Sequence, residues 1–542
     1  MDAVAEPWTS GGAKIHTFAM QAVCRSRFGA ETGLGSLYAF CPRRKQTGPM
    51  KLIKFLLPLA IAASASNSAT LCGQTLTLLH TFTASAYSGS LGVYTNLEGA
   101  NPIAGLVLSG KTLCGTTYDR GTNGRGTVFS VSTNGAGFKV LHTFTASKFN
   151  PWLGLQTNAD GINPYAVLAA SGNTLYGTAS AGGTNGNGTV FTVKTNGTGF
   201  TVLHTFTALN SGSNVDGINP YGGLVLAGNT LYGVANGGGT HQYGTLFSVN
   251  TAGTGVTVLH TFTGGSDGSL PRGSLVLSGK TLYGTAINGG DNGSGTVFSI
   301  NTNGTGFTIL HAFDTLNFQT NQDGANPYAG LVLSGSMLYG TAYYGGTNGS
   351  GTVFSVNTNG TGFKVLHTFA PLNSRTNLDG ANPYAGLVLS GGTLHGTACY
   401  GGCDGNGTAF SVNTNGSGFT VLHAFTGTDG SIPQAGFALS GRMLYGTAYQ
   451  GGTNGYGTVF SFPILPRIAG FSLTGTNLVI NAINGVSGET CRVLMSTNVA
   501  LPFSLWTPVK TNVLSATGNF TITATNAVSP AASKRFYILK LQ

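Results

Sequence analysis

Charged side chains are scarce in this chain. Asp, Glu, Lys and Arg make up 7% of its 542 residues, against about 25% in an average soluble protein. The formal net charge is +10, but 8 of the 25 basic and 3 of the 15 acidic residues lie in residues 1–54, which leaves 17 and 12 elsewhere. No basic run follows, so the sequence lacks the electrostatic footprint of a nucleic-acid-binding protein.

Helical periodicity and long apolar runs are also missing. After residue 65 no heptads and no convincing helical segment occur. One apolar run, Phe55 to Ala63, follows Met50 and two lysines, and small residues come after it. It is too short to span a bilayer, but its charge, length and ending are those of a secretory signal peptide.

These features predict how the N-terminus is organised. We expect residues 50–69 to be a signal peptide and residues 1–49 to be a non-native N-terminal extension, with a genuine 49-residue leader as the alternative. The mature protein is then secreted, extracellular or held at the outer cell surface, and it has no transmembrane segment. We expect it to be a monomer.

Cysteine is rare, and beyond the signal peptide five remain, an odd number: Cys72, Cys114, Cys399, Cys403 and Cys491. Cys399 and Cys403 flank a Gly-Gly turn and are candidates for a local disulfide, which an exported protein permits. Free thiols are the alternative. A metal site is a weak case, because no His or Cys pair lies nearby.

Glycine is abundant, at 87 residues, and it punctuates a sequence that is repeated seven times. Each copy reads approximately DGxNPYAGLVLSGxTLYGTAxxGGTNGxGTVFSVNTNGTGFTVLHTFT, with its histidine at His80, His142, His204, His260, His311, His367 and His423. Four β-like segments separated by Ser-Gly and Asn-Gly turns occur in each copy. A period of this length made of four strands is typical of β-propeller blades.

The first copy is cut. The chain enters with a lone fourth segment, Thr75 to Thr83, and the last copy stops after its third, Gly457 to Phe462. If the lone segment completes the last sheet, the ring has no open ends. The prediction is an all-β fold: a seven-bladed β-propeller at 70–465 closed by an N-terminal strand, plus a small C-terminal β-sandwich at 466–542.

The strings DGxNPYAGLVLSG, LYGTA, GGTNG and GTVFSV resemble the GloVer tandem repeat of secreted bacterial proteins, over about residues 75–462. The di-glycine after strand two gives a looser similarity to kelch blades. The resemblance implies an exported, surface-associated protein, often with a C-terminal sorting or anchoring element, and it implies no enzymatic activity and no established ligand. The last nine residues, Lys534 to Gln542, carry no apolar span with a basic tail, so attachment by such a signal is not expected.

The loops between strand four and the next strand one absorb all the length variation, so the face that carries them is the candidate binding face. An acidic residue precedes a glycine at one position in every copy: Glu98, Asp160, Asp216, Asp267, Asp323, Asp379 and Asp429. The favoured interpretation is a turn residue. The alternative is a ring of calcium ligands, with Asp160, Asp216, Asp323 and Asp379 as weak candidates; otherwise no cofactor is expected.

Aromatic residues on the same face are candidates for ligand contact. Tyr165, Tyr221, Tyr328 and Tyr384 follow Asn-Pro, Arg272 stands at that position in another copy, and Trp152 lies in a long loop. Aromatic rings suit sugar faces, although the tyrosines also suit packing between blades. The seven histidines read as structural, because catalysis needs one site with distinct roles.

The sequence therefore favours a secreted, non-catalytic propeller that binds glycan or a surface protein. An extracellular polysaccharide hydrolase or lyase is one alternative, and a purely structural surface protein is another. No catalytic constellation is recognisable, so enzymatic activity is not expected.

Overall fold

The structure, a computed structural model, describes residues 74–465, 467–474, 477–485, 488–498, 501, 503–514, 518–525 and 536–541. The expected extension, signal peptide and Cys72 lie outside these residues. In the part that is described, no helix is long and apolar enough to cross a membrane.

The regular secondary structure of the described residues is almost entirely β-strand. The chain opens with β1 (Thr77–Thr81) and a loop hairpin, β2 (Ala86–Ser88) and β3 (Val93–Thr95). The first repeat forms β4 (Val107–Ser109), β5 (Thr112–Thr117), β6 (Thr127–Ser132) and β7 (Lys139–Thr143). The second forms a loop hairpin, β8 (Lys148–Asn150) and β9 (Leu155–Thr157), then β10 (Ile162–Pro164), β11 (Ala169–Ser171), β12 (Thr174–Ala181), β13 (Thr189–Lys194) and β14 (Thr201–Thr205). The third forms β15 (Val225–Ala227), β16 (Thr230–Ala235), β17 (Thr245–Asn250) and β18 (Thr257–Thr261). The fourth forms β19 (Ser269–Pro271), β20 (Val276–Ser278), β21 (Thr281–Asn288), β22 (Thr296–Asn301) and β23 (Thr308–Ala312).

The later repeats follow the same plan. The fifth forms β24 (Val332–Ser334), β25 (Met337–Ala342), β26 (Thr352–Asn357) and β27 (Lys364–Thr368). The sixth forms β28 (Val388–Ser390), β29 (Thr393–Ala398), β30 (Thr408–Asn413) and β31 (Thr420–Ala424). The seventh forms β32 (Ala438–Ser440), β33 (Met443–Ala448) and β34 (Thr458–Pro463). The C-terminal part forms β35 (Arg467–Thr474), β36 (Asn477–Gly485), β37 (Thr490–Ser496), a 3-10 helix (Phe503–Leu505), β38 (Thr507–Val513), β39 (Gly518–Ala524) and β40 (Phe536–Leu541).

Each repeat folds into its own antiparallel sheet. The described residues contain seven such sheets, and β10 and β19 add a short fifth strand to two of them. In six of the sheets the four main strands follow chain order, and in the seventh β1 lies beside β34 as the fourth strand. The four predicted segments of each repeat are therefore confirmed. Glycine in strand two makes room for a ring on strand three, because a Cβ on Gly340 would lie 2.5 Å from Cζ of Phe354.

Apolar side chains join each sheet to the next. Every repeat contributes two fully buried phenylalanines, one on strand three and one after strand four. In one shared cluster, Phe206 of the second repeat packs with Leu224 and Phe247 of the third. A threonine on strand two also donates to a backbone carbonyl of the following repeat, as Thr341 does to Ala385 at 3.0 Å.

The same contacts link the last repeat to the first. Strand β1 pairs with β34, with Thr77 opposite Ser461, at the position predicted for it. The Thr447 hydroxyl donates to the Ala104 carbonyl at 2.9 Å. Phe82 joins a core cluster that contains side chains of both the first and the seventh repeat.

The C-terminal strands form two three-stranded antiparallel sheets, β35-β36-β39 and β38-β37-β40. Side chains from both sheets meet in one buried cluster, with Leu478 and Ile522 from the first and Cys491 and Val493 from the second.

The residue before the proline in each repeat has a left-handed backbone. In five repeats it is Asn, with φ of 54–58°, and its amide donates to a carbonyl of the preceding repeat, as Asn382 does to Tyr343 at 3.0 Å. Leu270 and Ile432 hold the same conformation at φ 56° and 52°. An apolar side chain gains no such hydrogen bond, and a β-branched one is poorly suited to this region.

We expect Ile432→Asn to raise the free energy of unfolding by about 1–2 kcal/mol, because left-handed backbone costs roughly that much for most L-residues and Asn adds a hydrogen bond. The reverse change, Asn382→Ile, is expected to cost a similar amount. Denaturant titration of both variants checks this. Destabilisation by Ile432→Asn would contradict it.

Candidate functional site

Each repeated histidine forms a hydrogen bond with the repeated acidic residue of the loop that follows it. The distances from Nε2 to the carboxylate are 2.8–3.2 Å, in the pairs His80–Glu98, His142–Asp160, His204–Asp216, His260–Asp267, His311–Asp323, His367–Asp379 and His423–Asp429. Because the carboxylate accepts, Nε2 carries the proton. This pairing was not predicted from the sequence, in which the two positions were interpreted separately.

The pair His142–Asp160 shows the structural role of this hydrogen bond. Asp160 also accepts the Thr145 backbone N–H at 3.0 Å, so it fixes the loop onto strand four. The ring of His142, on β7 of the first repeat, stacks on the ring of Phe200 in the second repeat, and the two ring centroids are 3.6 Å apart. The prediction that the histidines are structural fits this geometry. The acceptor of each histidine's hydrogen bond is the carboxylate of the following loop.

The acids do not assemble into a ring of metal ligands. Asp160, Asp216, Asp323 and Asp379 each bond to a different histidine, and no group of three or more His, Cys, Asp or Glu side chains gathers anywhere in the described ranges. The favoured reading of these acids as simple turn residues also needs correction. Asn158, two residues before Asp160, closes the turn by accepting the Gly161 N–H at 2.9 Å.

Residues at the start of strand one in all seven repeats line a shared cavity of about 250 Å³, and one equivalent position recurs in every repeat. The seven residues at this position follow the proline at the start of strand one, namely Ile103, Tyr165, Tyr221, Arg272, Tyr328, Tyr384 and Gln434. The structure thus brings five of the six predicted ligand-binding residues together. We call this space the axial cavity.

Arg272 lies among the four tyrosines. Its guanidinium carbon is 4.7 Å and 4.5 Å from the ring centroids of Tyr165 and Tyr221, and 5.5 Å from those of Tyr328 and Tyr384. It donates to the Tyr165 hydroxyl at 2.5 Å, and that hydroxyl is bonded to the hydroxyl of Tyr384. These contacts are cation–π interactions.

The charge of Arg272 has no acidic partner. No carboxylate within the described residues forms an ion pair with it. Burial acts to lower the pKa of Arg272, but the surrounding tyrosines outweigh burial and the pKa is raised. Burial in turn raises the pKa of Tyr165 and Tyr384. The cavity therefore presents a permanent cation between neutral phenols.

The first repeat adds polar groups beside this cavity. Tyr118, at the end of β5, makes an edge contact with Tyr165 at 6.0 Å. Asp119 follows it and bonds to Arg120 at 2.8 Å, while its other oxygen is buried without a partner. Burial raises the pKa of Asp119 to about 6, and Arg120 opposes that shift.

Arg120 occupies a position where the other six repeats have glycine: Gly182, Gly238, Gly289, Gly345, Gly401 and Gly451. Its φ is 66°, a left-handed conformation that costs free energy for a side chain with a Cβ. The guanidinium lies over Tyr94 at 5.3 Å and over Tyr456 at 5.7 Å. Strain of this kind is often kept at functional sites.

Trp152 is exposed, as predicted for the long loop of the second repeat. It lies at the tip of the β8–β9 hairpin and is 96% accessible. Asn150 fixes the tip by accepting the Trp152 backbone N–H at 3.0 Å. Phe149 in the same hairpin and Tyr87 and Tyr94 in the β2–β3 hairpin are also exposed. These two hairpins present aromatic surface to solvent.

Cys399 and Cys403 do not form the predicted disulfide. Both are free thiols, Cys399 buried and Cys403 exposed. Cys399 ends strand two with its sulfur 3.7 Å from the Pro433 carbonyl, which directs it into the protein, and burial raises its pKa.

Comparisons with known structures give only distant similarity. A chain of the nidogen/laminin complex is 17% identical, with 49% of this chain and 80% of that chain covered and a TM-score of 0.32. An oligogalacturonate lyase in complex with manganese is 12% identical, with 73% and 99% covered and a TM-score of 0.41. A puromycin-hydrolysing peptidase of Mycobacterium tuberculosis is 10% identical, with 72% and 60% covered and a TM-score of 0.43. Similarity at this level carries no functional argument.

No curated protein matches this chain. The Gloeobacter/Verrucomicrobia repeat matches it three times, at residues 68–215, 163–376 and 315–460. Together these overlapping matches span residues 68–460, which include every residue that lines the axial cavity, and they bear out the resemblance noted in the sequence. The chain belongs to the Gloeobacter/Verrucomicrobia repeat family.

Proposed function

We propose that residues 70–465 form a seven-bladed β-propeller closed by β1, and that residues 466–542 form a separate small β-sandwich. The pairing of β1 with β34 supports closure, as does the hydrogen bond from Thr447 to Ala104. Equivalent residues of seven repeats can line one cavity only if the repeats surround a common axis. The shared core of the two C-terminal sheets supports the sandwich.

The propeller is proposed to be a secreted, monomeric, non-catalytic protein that binds a glycan outside the cell or at the outer cell surface. The observation that carries this proposal is the axial cavity, in which four tyrosines surround one arginine. Aromatic faces pack against the apolar faces of sugar rings, and phenol and guanidinium groups bond to hydroxyls. Trp152, which is exposed at a loop tip, offers a second contact. This mode of binding uses no cofactor, because the chain supplies every group.

We expect Trp152→Ala and Tyr328→Ala each to weaken glycan retention by about tenfold, which corresponds to the loss of roughly 1.4 kcal/mol of binding free energy. The measurement is retention of the mature protein on a panel of immobilised polysaccharides, with melting curves to show that the variants are folded. Leu505→Ala, an exposed apolar residue of the C-terminal part, is the matched control. Unchanged retention of both test variants would show that neither the axial cavity nor the β8–β9 hairpin binds the glycan.

A second candidate function is acid–base catalysis on a polysaccharide, and Asp119 is the observation that favours it. A carboxyl group whose pKa is raised to about 6 is suited to proton transfer near neutral pH. The same panel decides, because soluble products that are released by the parent protein and lost in Asp119→Asn would replace the binding proposal. Absence of both retention and release would favour a protein partner or a structural role.

A further inference from the structure

Two residues that line the axial cavity each have a buried polar atom without a hydrogen-bond partner, one a donor and the other an acceptor. Nε of Arg272 is a buried donor with no hydrogen-bond partner, and Oε1 of Gln434 is a buried acceptor with none. Both residues line the cavity. A buried polar atom without a partner destabilises the free protein, so its presence calls for an explanation.

The tyrosines do not remove this deficit. They place aromatic faces 4.5–5.5 Å from the guanidinium carbon, which attracts the charge but gives Nε no oxygen acceptor. The hydroxyl that does bond to Arg272 belongs to Tyr165 and is already shared with Tyr384. A fixed cation therefore remains without an anion at the wall of the axial cavity.

The arginine is particular to one repeat. The same position is Tyr in four repeats, Ile103 in the first and Gln434 in the seventh, and the fold accommodates all of them. The scaffold therefore does not require a charge at this position. Arg is also the side chain best matched to a planar carboxylate, because its donors lie in one plane.

We propose that the axial cavity binds the carboxylate of an acidic sugar, a uronate unit of a polysaccharide. The carboxylate neutralises Arg272, a sugar hydroxyl donates to Oε1 of Gln434, and the tyrosines pack against the ring. The volume of about 250 Å³ is below the range of roughly 300–1,000 Å³ that is usual for drug-sized ligands, so it suits a single unit or a chain end. This inference rests on the proposed glycan binding.

The test compares matched ligands on the wild-type protein by titration calorimetry. The probes are a uronate oligosaccharide, the same oligosaccharide with its carboxyl groups reduced to alcohols, and a sulfated neutral oligosaccharide. We expect the uronate to bind roughly 30-fold or more tightly than its reduced form, the range for losing one partner of a buried charge pair. Equal affinity for the two, or binding of the sulfated probe alone, would overturn the inference.

A variant gives the second measurement. Arg272→Gln introduces the residue that the seventh repeat already has at this position. We expect it to abolish the preference for the uronate, so that the uronate and the reduced oligosaccharide bind with affinities within about twofold of each other. Arg375→Gln, which changes a surface-loop arginine, controls for net charge.

The possible results distinguish a failure of the carboxylate inference from a failure of the proposed glycan binding. Glycan binding without a carboxylate preference, or a preference that survives Arg272→Gln, overturns this inference and leaves glycan binding standing. Absence of binding to every glycan, neutral or acidic, overturns both.

Discussion

Cysteines introduced at Thr77 and Ser461 are expected to form a disulfide that raises the free energy of unfolding by about 2–4 kcal/mol. The two residues lie directly opposite in the β1–β34 pair, where Cα atoms are about 4.5–5.5 Å apart, within the range that a disulfide spans. The bond would close a loop that contains nearly the whole propeller. A longer loop restricts the unfolded chain more.

An internal cross-link is the matched control. Thr192 and Thr201 hold the equivalent positions in the second repeat, but they are joined by a short hairpin, so the gain is expected to be smaller. Both pairs are made in a Cys403→Ser background, because Cys403 is an exposed free thiol. Denaturant titrations with and without reductant measure each effect. Equal stabilisation by the two bonds, or failure of the first to form, would argue against closure by β1.

The sequence predicted the sheets because their determinants are local. Alternation of apolar residues and Asn-Gly turns specify hairpins within one repeat, and the seven copies repeat the same information. The lone N-terminal strand was predictable because a fourth strand was missing from the last copy. Loop conformation was less accessible, because the loops between strand four and the next strand one differ in length from copy to copy.

The pairing of histidine with acid could not be predicted because its spacing varies. The acid follows the histidine by 18 residues in His80–Glu98 and by 6 in His423–Asp429. No fixed motif therefore marks the pair, although each member is regular on its own. The acids consequently suggested turns or metal ligands, and the correct partner required three-dimensional placement.

The sequence predicted most residues of the candidate site, but it did not predict how these residues are arranged. Trp152 stood out because it lies in a long, variable loop, and it is exposed. Tyr165 and Arg272 are far apart in sequence, and only the curvature of successive sheets places them in contact. Tyr118 was missed, since a tyrosine occupies this position, directly after the LYGTA segment, in only three of the seven repeats.

Asp216→Ala is expected to lower the free energy of unfolding by roughly 2–4 kcal/mol, because it leaves two largely buried donors without an acceptor at a cost of about 1–3 kcal/mol each. Asp216 is 5% exposed. Its carboxylate accepts from His204 at 2.8 Å and from the Thr207 backbone N–H at 3.1 Å. Both donors would lose their acceptor. The control, Asp404→Ala, removes an exposed carboxylate and should change stability by less than about 0.5 kcal/mol.

The same pairs predict acid sensitivity in two stages. Burial lowers the pKa of His80 and His260 from 6.5 despite their carboxylate partners, so below pH 6.5 the unfolded chain takes up protons that the fold resists, and stability falls. Burial alone would raise the pKa of Asp216, but the bonds from His204 and Thr207 outweigh it and hold the pKa below 3.8. Its contribution is therefore present above pH 3.8 and is lost as the pH falls through the lowered value. The free energy of unfolding should fall as the pH drops below 6.5 and fall again below pH 3.8. The difference in this free energy between wild type and Asp216→Ala should narrow only in the second stage. A flat profile between pH 7 and pH 5 would contradict the lowered pKa values of His80 and His260. A difference that does not narrow in acid would show that the Asp216 carboxylate does not hold its loop as the geometry implies.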